Sequence, residues 1–122
     1  MARLITYLPP VWSVEYDEAT RFPEFADWSV EQWVAYGEQH GVVTRWSELG
    51  PVANHDEIET PLATLHPDKV ARFRQAVTRG TVHRPIVLRW ADGTQELLGG
   101  NTRLLGLRQM GLDPEVVVLP CV

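Results

Sequence analysis

The sequence predicts a small mixed fold of helices and strands, an α+β or α/β unit. Between residues 58 and 120, strand-like and helix-like runs follow one another in the order strand, helix, hairpin, helix, strand. No internal repeat or low-complexity segment interrupts this order. A chain of 122 residues is long enough to form one domain that buries its core without a metal or a disulfide.

Residues 1–28 are predicted to be irregular, because Pro9-Pro10 and Pro23 interrupt any helix. Six aromatic residues alternate here with five acidic ones. The favoured interpretation is that the rings pack on the body of the domain while the acids face water. The alternative is a rim around a substrate cleft, with one ring free to stack on a base.

The first clear helix is predicted at about residues 30–40. Ser29 is a good N-cap, Gln32 completes a capping box, and Gly41 follows as a stop. The next stretch, Val42–Trp46, fits either a strand or an irregular segment.

The run His55-Asp56-Glu57 resembles a fragment of a metal or acid–base site. Because no second histidine follows at ligand spacing, a solvated loop is the favoured interpretation.

A strand is then predicted in Ile58–Leu65, where apolar residues alternate in part. The second helix is expected to start at Pro67 and to end at Gly80. Its first turn contains Lys69, a cation that opposes the helix dipole, and a bound phosphate would account for it.

A β-hairpin is predicted next. The strand Ile86–Trp90 leads to Asp92-Gly93, a dipeptide typical of tight hairpin turns, and Gln95–Leu98 forms the return strand. Near the C-terminus, the apolar run Pro114–Leu119 predicts a buried strand.

Between the hairpin and that last strand lies Gly99-Gly100-Asn101-Thr102-Arg103, followed by a helix predicted at about residues 102–110 and capped by Asn101 or Thr102. Glycines let the backbone approach a ligand, a helix start offers free amides, and Arg103 adds a charge. The run therefore suits a phosphate. A tight turn with a solvated arginine is the alternative.

The charge is unevenly distributed. The net charge is −5, yet residues 61–122 contain eight Lys or Arg against five Asp or Glu, a balance of +3. A basic half that also holds the phosphate-loop candidate favours an anionic ligand.

The single cysteine, Cys121, excludes an intramolecular disulfide, which fits a reducing, cytoplasmic setting. No run is long and apolar enough for a membrane helix or a signal peptide.

Three pieces of the chain, in the right order, resemble the ParB/sulfiredoxin-like superfamily. They are Leu62–Val70, like the family's lead-in strand and "L-x-P-x-K-V" helix start; Pro85–Leu88; and Leu98–Leu104, like its G-x-H-R or G-x-R-R box. The resemblance spans residues 58–120 and implies a small mixed sheet flanked by helices. Residues 58–122 would form this core, and residues 1–57 a helical or irregular extension packed on it.

The resemblance also implies a nucleotide site. By position, Gly99, Gly100, Asn101, Thr102 and Arg103 fall on the phosphate-binding box. Lys69 falls on the family's phosphate-contacting lysine, and Glu59 falls near the acidic residue used as a base in kinase members, with Glu57 as the other choice.

Two departures from the family pattern narrow the chemistry. Asn101 stands where sulfiredoxins have their nucleophilic cysteine, and Thr102 stands where the box has a histidine. Cys121 is no substitute, so sulfiredoxin activity is not expected. The DNA-reading helix-turn-helix region that partition proteins place after this core is not in the sequence.

The function predicted from these features is phosphoryl transfer from ATP, or another nucleoside triphosphate, with Mg²⁺. Arg103 would stabilise charge and a carboxylate such as Glu59 would accept the proton of the substrate hydroxyl. A hydroxymethylated base in viral DNA is the preferred acceptor, with a small hydroxyl compound such as serine as the alternative. A non-catalytic nucleotide- or DNA-binding module is the other function. No protein-held metal site is predicted.

Overall fold

A computed structural model describes residues 4–121, and it is a mixed fold of two small sheets flanked by helices. The predicted mixture of helices and strands is therefore confirmed. The strands are β1 Thr6–Leu8, β2 Val42–Arg45, β3 Thr81–His83, β4 Ile86–Arg89, β5 Gln95–Gly99 and β6 Glu115–Pro120. The α-helices are α1 Tyr16–Ala19, α2 Val30–His40, α3 Pro67–Arg79 and α4 Asn101–Gln109.

The larger sheet has the strand order β2-β6-β4-β5 and is mixed. Strands β4 and β6 run parallel, whereas β4 pairs with β5, and β2 with β6, in antiparallel fashion. Val117 of β6 packs with the aromatic cluster on one face, while Val116 and Val118 pack with Leu104 of α4 on the other. Because both faces are covered, β6 is the continuous apolar run expected of a buried strand.

The first 57 residues contribute one strand to each sheet. β1 pairs in parallel with β3, and β2 forms the edge of the larger sheet beside β6. The prediction that residues 1–28 are irregular is therefore wrong in part: β1, α1 and two short 3-10 turns lie there. The missing information was the pairing partner of β1, which lies about 75 residues away along the chain.

The aromatic residues of the N-terminal half pack in the core, as the favoured interpretation predicted. Trp12, Phe25 and Trp33 are buried together. Trp33 donates a hydrogen bond from Nε1 to the carbonyl of Trp12 at 2.7 Å, and the two rings meet edge to face with centroids 5.6 Å apart. The indole of Trp12 also lies directly against Gly37, where a β-carbon would be 2.7 Å from Cε2 of that ring.

Helices α2 and α3 agree with the sequence. Both hydrogen bonds of the Ser29–Gln32 capping box are present. α3 begins at Pro67 and ends at Gly80, which adopts a left-handed conformation with φ of 79°. Among the described helices, none is long and apolar enough to cross a membrane.

Two local predictions are wrong. Ile58–Leu65 contains turns and the 3-10 segment Leu62–Thr64 in place of a strand. The carbonyl groups of Ile58 and Thr60 accept hydrogen bonds from the side chain of Gln109. This segment therefore packs beside α4 and joins neither sheet. The N-cap of α4 is Gly100, not Asn101 or Thr102, and no side chain caps it.

Candidate functional site

The joint between β5 and α4 is a tight turn that requires glycine. Gly100 precedes α4 with φ of 90°, a left-handed conformation that side chains rarely adopt. A β-carbon on Gly100 would lie 2.7 Å from Nη2 of Arg103 and 2.9 Å from Cβ of Pro85. The arginine therefore folds back over the turn, and the space beside the backbone is filled by its guanidinium.

The start of α4 offers two features that attract an anion. The first amide groups of a helix have no acceptor within the helix, and the helix dipole gives this end a partial positive charge. Arg103, in the first turn, adds a full positive charge, and its side chain is 27% exposed. Thr102 is half-buried beside it. The turn Gly99–Arg103, here called the α4 loop, therefore has the groups that a phosphate needs.

A carboxylate of the chain itself lies on this loop. Oε1 of Glu15 is 3.5 Å from Nη2 of Arg103, and the Glu15 side chain is only 16% exposed. The carboxyl group also lies against Gly99, where a β-carbon would be 2.6 Å from Cδ of Glu15. Burial lowers the pKa of Arg103, and the charge of Glu15 acts in the opposite direction. The guanidinium remains charged at neutral pH.

A second carboxylate is bonded to the loop through Asn101. Nδ2 of Asn101 donates to Oδ2 of Asp56 at 2.6 Å, and the backbone amide of Asp56 donates to Oδ1 of Asn101 at 3.0 Å. Nη1 of Arg108 donates to the carbonyl of Asp56 at 3.2 Å, and its guanidinium lies 5.2 Å from the ring centroid of Trp46. The Asn101 contacts hold the carboxylate of the half-buried Asp56 beside the first residue of α4, while Arg108 binds its carbonyl from the last turn of the same helix.

Glu59, predicted as the base, belongs to a segment that is bonded to the C-terminal end of α4, not to the α4 loop. Its neighbours Ile58 and Thr60 are bonded to Gln109, the last residue of the helix. Gln109 follows Asn101 by eight residues, which is about 12 Å along a helix axis. Glu59 is exposed, as is Glu57, the other choice. Of the carboxylates near the 56–60 segment, Asp56 is the one that is hydrogen-bonded to the α4 loop.

Lys69, predicted to contact phosphate, is exposed in the first turn of α3. Within residues 4–121, no ion pair joins it to a carboxylate. Its predicted contact with a ligand stays a prediction.

Two residues of the site were missed by the sequence-based reasoning. Asp56 stood in a run that was interpreted as a solvated loop, and Glu15 was one of five acids expected to face water. The Glu15–Arg103 contact joins positions 88 residues apart, and no local pattern indicates it. The His55-Asp56 pair was a usable signal for Asp56.

Other chemistry-bearing groups lie apart from the loop. In residues 4–121, no group of three His, Cys, Asp or Glu side chains is placed to hold a metal ion. Cys121 is buried, and burial raises the pKa of its thiol to about 12, so the thiol is protonated at neutral pH. It lines a groove of about 600 Å³ with Phe22, Glu24 and Trp90, and none of the α4-loop residues lines that groove.

Comparisons with protein-family models, with curated proteins and with solved structures found no match to this chain.

Proposed function

We propose that this chain is a nucleotide-dependent phosphotransferase of ParB/sulfiredoxin-like fold, whose α4 loop binds the phosphates of ATP or of another nucleoside triphosphate. The observation that carries the proposal is the left-handed Gly100 directly before α4, with the guanidinium of Arg103 folded over it. The first turn of α4 then offers free amides and a cation, the two kinds of group that phosphate binding uses.

The surroundings of the loop support the resemblance on which the proposal draws. A β-hairpin leads into the loop, α4 follows, and a buried strand parallel to β4 completes the sheet. The second and third matching pieces imply this order, whereas Leu62–Thr64, in the first piece, is a 3-10 segment where the resemblance implies a strand.

The reaction would be an in-line transfer. The oxygen of the acceptor hydroxyl forms a bond to the γ-phosphorus, the bond from that phosphorus to the bridging oxygen of ADP breaks, and the hydroxyl proton passes to a carboxylate. Mg²⁺ bound with the nucleotide would neutralise phosphate charge. Arg103 would stabilise the charge on the transferred group, and the amides of the loop would orient it.

Asp56 is the carboxylate that the geometry favours as the proton acceptor. Asn101 holds one carboxylate oxygen of Asp56 by a hydrogen bond, so the group is oriented beside the loop. A base must lie within hydrogen-bond reach of the proton that it takes, and Glu59 lies beside the opposite end of α4. Glu59, which the family resemblance indicates, is the alternative base.

DNA is the proposed acceptor, through a hydroxymethylated base. Helix α3 exposes four cations, and within the described residues none of them forms an ion pair with a carboxylate: Lys69, Arg72, Arg74 and Arg79. Unpaired surface cations suit a phosphate backbone, because binding releases the counterions of the DNA. The buried aromatic rings give no support to base stacking by the N-terminal segment.

A non-catalytic nucleotide-binding module is the second candidate. The observation in its favour is that both groups assigned to catalysis already have partners within the chain, Arg103 with Glu15 and Asp56 with Asn101. Such pairs are also what a rigid binding loop needs.

The test is a transfer assay with γ-labelled ATP, Mg²⁺ and the full chain. Hydroxymethyl-containing DNA, unmodified DNA and free serine serve as acceptors in parallel reactions. The proposal expects label only in the hydroxymethyl-containing DNA. Label in serine would show a small-molecule kinase, and nucleotide binding without transfer to any acceptor would show a binding module.

A further inference from the structure

Glu15 occupies the guanidinium of Arg103, the charged group of the α4 loop that a bound phosphate would need. Its carboxylate touches Gly99 and lies 3.5 Å from the guanidinium of Arg103. A carboxylate and a phosphate oxygen are acceptors of the same kind, and both pair with arginine. Any side chain at position 99 would collide with this carboxylate, so the glycine provides the space in which Glu15 lies.

The backbone on either side of Glu15 is anchored, so withdrawal from Arg103 would be a rotation of the side chain. Trp12, at the start of the same 3-10 turn, is buried against Trp33 and Gly37. Tyr16, the next residue, donates a hydrogen bond from its hydroxyl to the carbonyl of Trp28. Rotation of the Glu15 side chain alone would uncover Arg103 without displacing these anchors.

We propose that Glu15 is a built-in competitor of the nucleotide phosphate, and that its withdrawal from Arg103 is a step of ligand binding. This inference rests on the proposed function, because it concerns the same loop. A phosphate and a carboxylate repel each other and cannot share one guanidinium edge at close range. The affinity of the loop for a nucleotide is therefore reduced by the stability of the Glu15–Arg103 pair.

As a consequence, the α4 loop should bind highly charged anions in preference to weakly charged ones. A phosphate group carries more negative charge and more acceptor oxygens than a carboxylate, so it displaces Glu15 where a weaker anion does not. Small carboxylates such as acetate are expected to leave the pair intact, while MgATP separates it.

The experiment compares Glu15→Gln with Glu18→Gln in the full chain. Each variant removes one negative charge from the same segment, but Glu18 pairs with the exposed Arg21, not with the loop. Titration calorimetry measures the Kd for MgATP at constant ionic strength. Glu15→Gln is expected to tighten binding about three- to tenfold, and Glu18→Gln to change it less than about twofold. In both backgrounds, adding Arg103→Ala should weaken MgATP binding about 10- to 100-fold.

The outcomes separate this inference from the proposed function. If Glu15→Gln and Glu18→Gln change the Kd equally while Arg103→Ala still weakens binding at least tenfold, the loop binds nucleotide and the competition is overturned. If neither the natural chain nor Glu15→Gln binds MgATP, the proposed function fails and the competition fails with it.

A second measurement needs no nucleotide. The rate at which phenylglyoxal modifies Arg103, followed by peptide mass mapping, reports how often Glu15 leaves the guanidinium. Glu15→Gln should raise this rate several-fold, and Glu18→Gln should leave it unchanged. If Glu15→Gln does not fold, Glu15→Asp, which shortens the side chain by one methylene, should raise the rate in the same direction. Equal rates in the natural chain and the folded variant would overturn the inference.

Discussion

The two ends of helix α4 share two structural features, a left-handed glycine and an amide side chain bonded to residues 56–60, but they differ in their surroundings. Each end has a left-handed glycine, Gly100 before the helix and Gly111 after it. Each end also has an amide side chain that bonds the 56–60 segment, Asn101 to Asp56 and Gln109 to the carbonyls of Ile58 and Thr60.

The difference lies in crowding and charge. A β-carbon on Gly111 would meet nothing within 4 Å, whereas one on Gly100 would meet Arg103 and Pro85. The C-terminal end exposes Met110 at 44% and has no ion pair among the described residues. At the C-terminal end, a left-handed glycine and an amide side chain are enough to end the helix and to hold the 56–60 segment. The charged groups at the N-terminal end are not needed for that structural role.

The largest expected effect separates the carboxylates at the two ends. Asp56→Asn should lower the rate of phosphoryl transfer about 100-fold or more, because the variant cannot take the proton of the acceptor hydroxyl. Glu59→Gln should stay within about twofold, since its segment is held at the far end of α4. Initial rates with γ-labelled ATP measure both. A loss confined to Glu59→Gln would assign the base to the residue that the family resemblance indicates.

The next effect concerns nucleotide affinity. Arg103→Ala removes the charged donor of the loop and should weaken MgATP binding about 10- to 100-fold. Arg79→Ala, at the exposed end of α3, is the matched control and should have less than about a twofold effect. Titration calorimetry gives both constants. Equal losses in the two variants would indicate general electrostatic attraction with no specific loop.

A third pair of variants compares the two glycines by stability. Gly111→Ala should cost about 1 kcal/mol, the strain of a left-handed conformation with a β-carbon. Gly100→Ala adds the collision with Arg103 and Pro85 and should cost about 2–4 kcal/mol. Urea unfolding midpoints measure the free energies of unfolding. Similar costs at the two positions would show that the N-terminal end has room to relax, and that its crowding is not a constraint.

The smallest effect is expected at Lys69, which belongs to neither end of α4. Lys69→Ala removes a cation that opposes the dipole of α3 and should stabilise the chain by a few tenths of a kcal/mol, about 0.3. MgATP binding should change less than about twofold, because Lys69 is exposed in α3 and no described contact joins it to the α4 loop. A loss of tenfold or more in the same titration would place Lys69 among the phosphate ligands.

Features encoded by adjacent residues were predictable from the sequence. The Ser29 capping box, the Pro67 start of α3 and the Gly80 stop depend on residues within four positions of one another, and all three are confirmed. Features set by distant contacts were not predictable. β1 is a strand because β3 lies beside it, and Ile58–Leu65 is not a strand because Gln109 binds its carbonyls.

The candidate site also contains both kinds of feature, those encoded by adjacent residues and those set by distant contacts. The glycine turn, the helix start and Arg103 are consecutive in sequence, and the turn could be predicted from residue type. The carboxylates that face them, Glu15 and Asp56, come from segments 88 and 45 residues away from their partners. Side-chain pairing over such separations depends on how the segments pack in three dimensions, which no local pattern contains.

The most direct test of the central claim, that the α4 loop binds nucleotide phosphate, is a titration of MgATP into the ¹⁵N-labelled full chain, observed by amide chemical shifts. The largest shifts are expected at Gly100, Asn101, Thr102 and Arg103, with smaller ones at Asp56. The amides near Gln109 and Gly111 should stay in place. Shifts centred on the groove of Phe22 and Trp90, or no saturable shift at any amide, would contradict that claim.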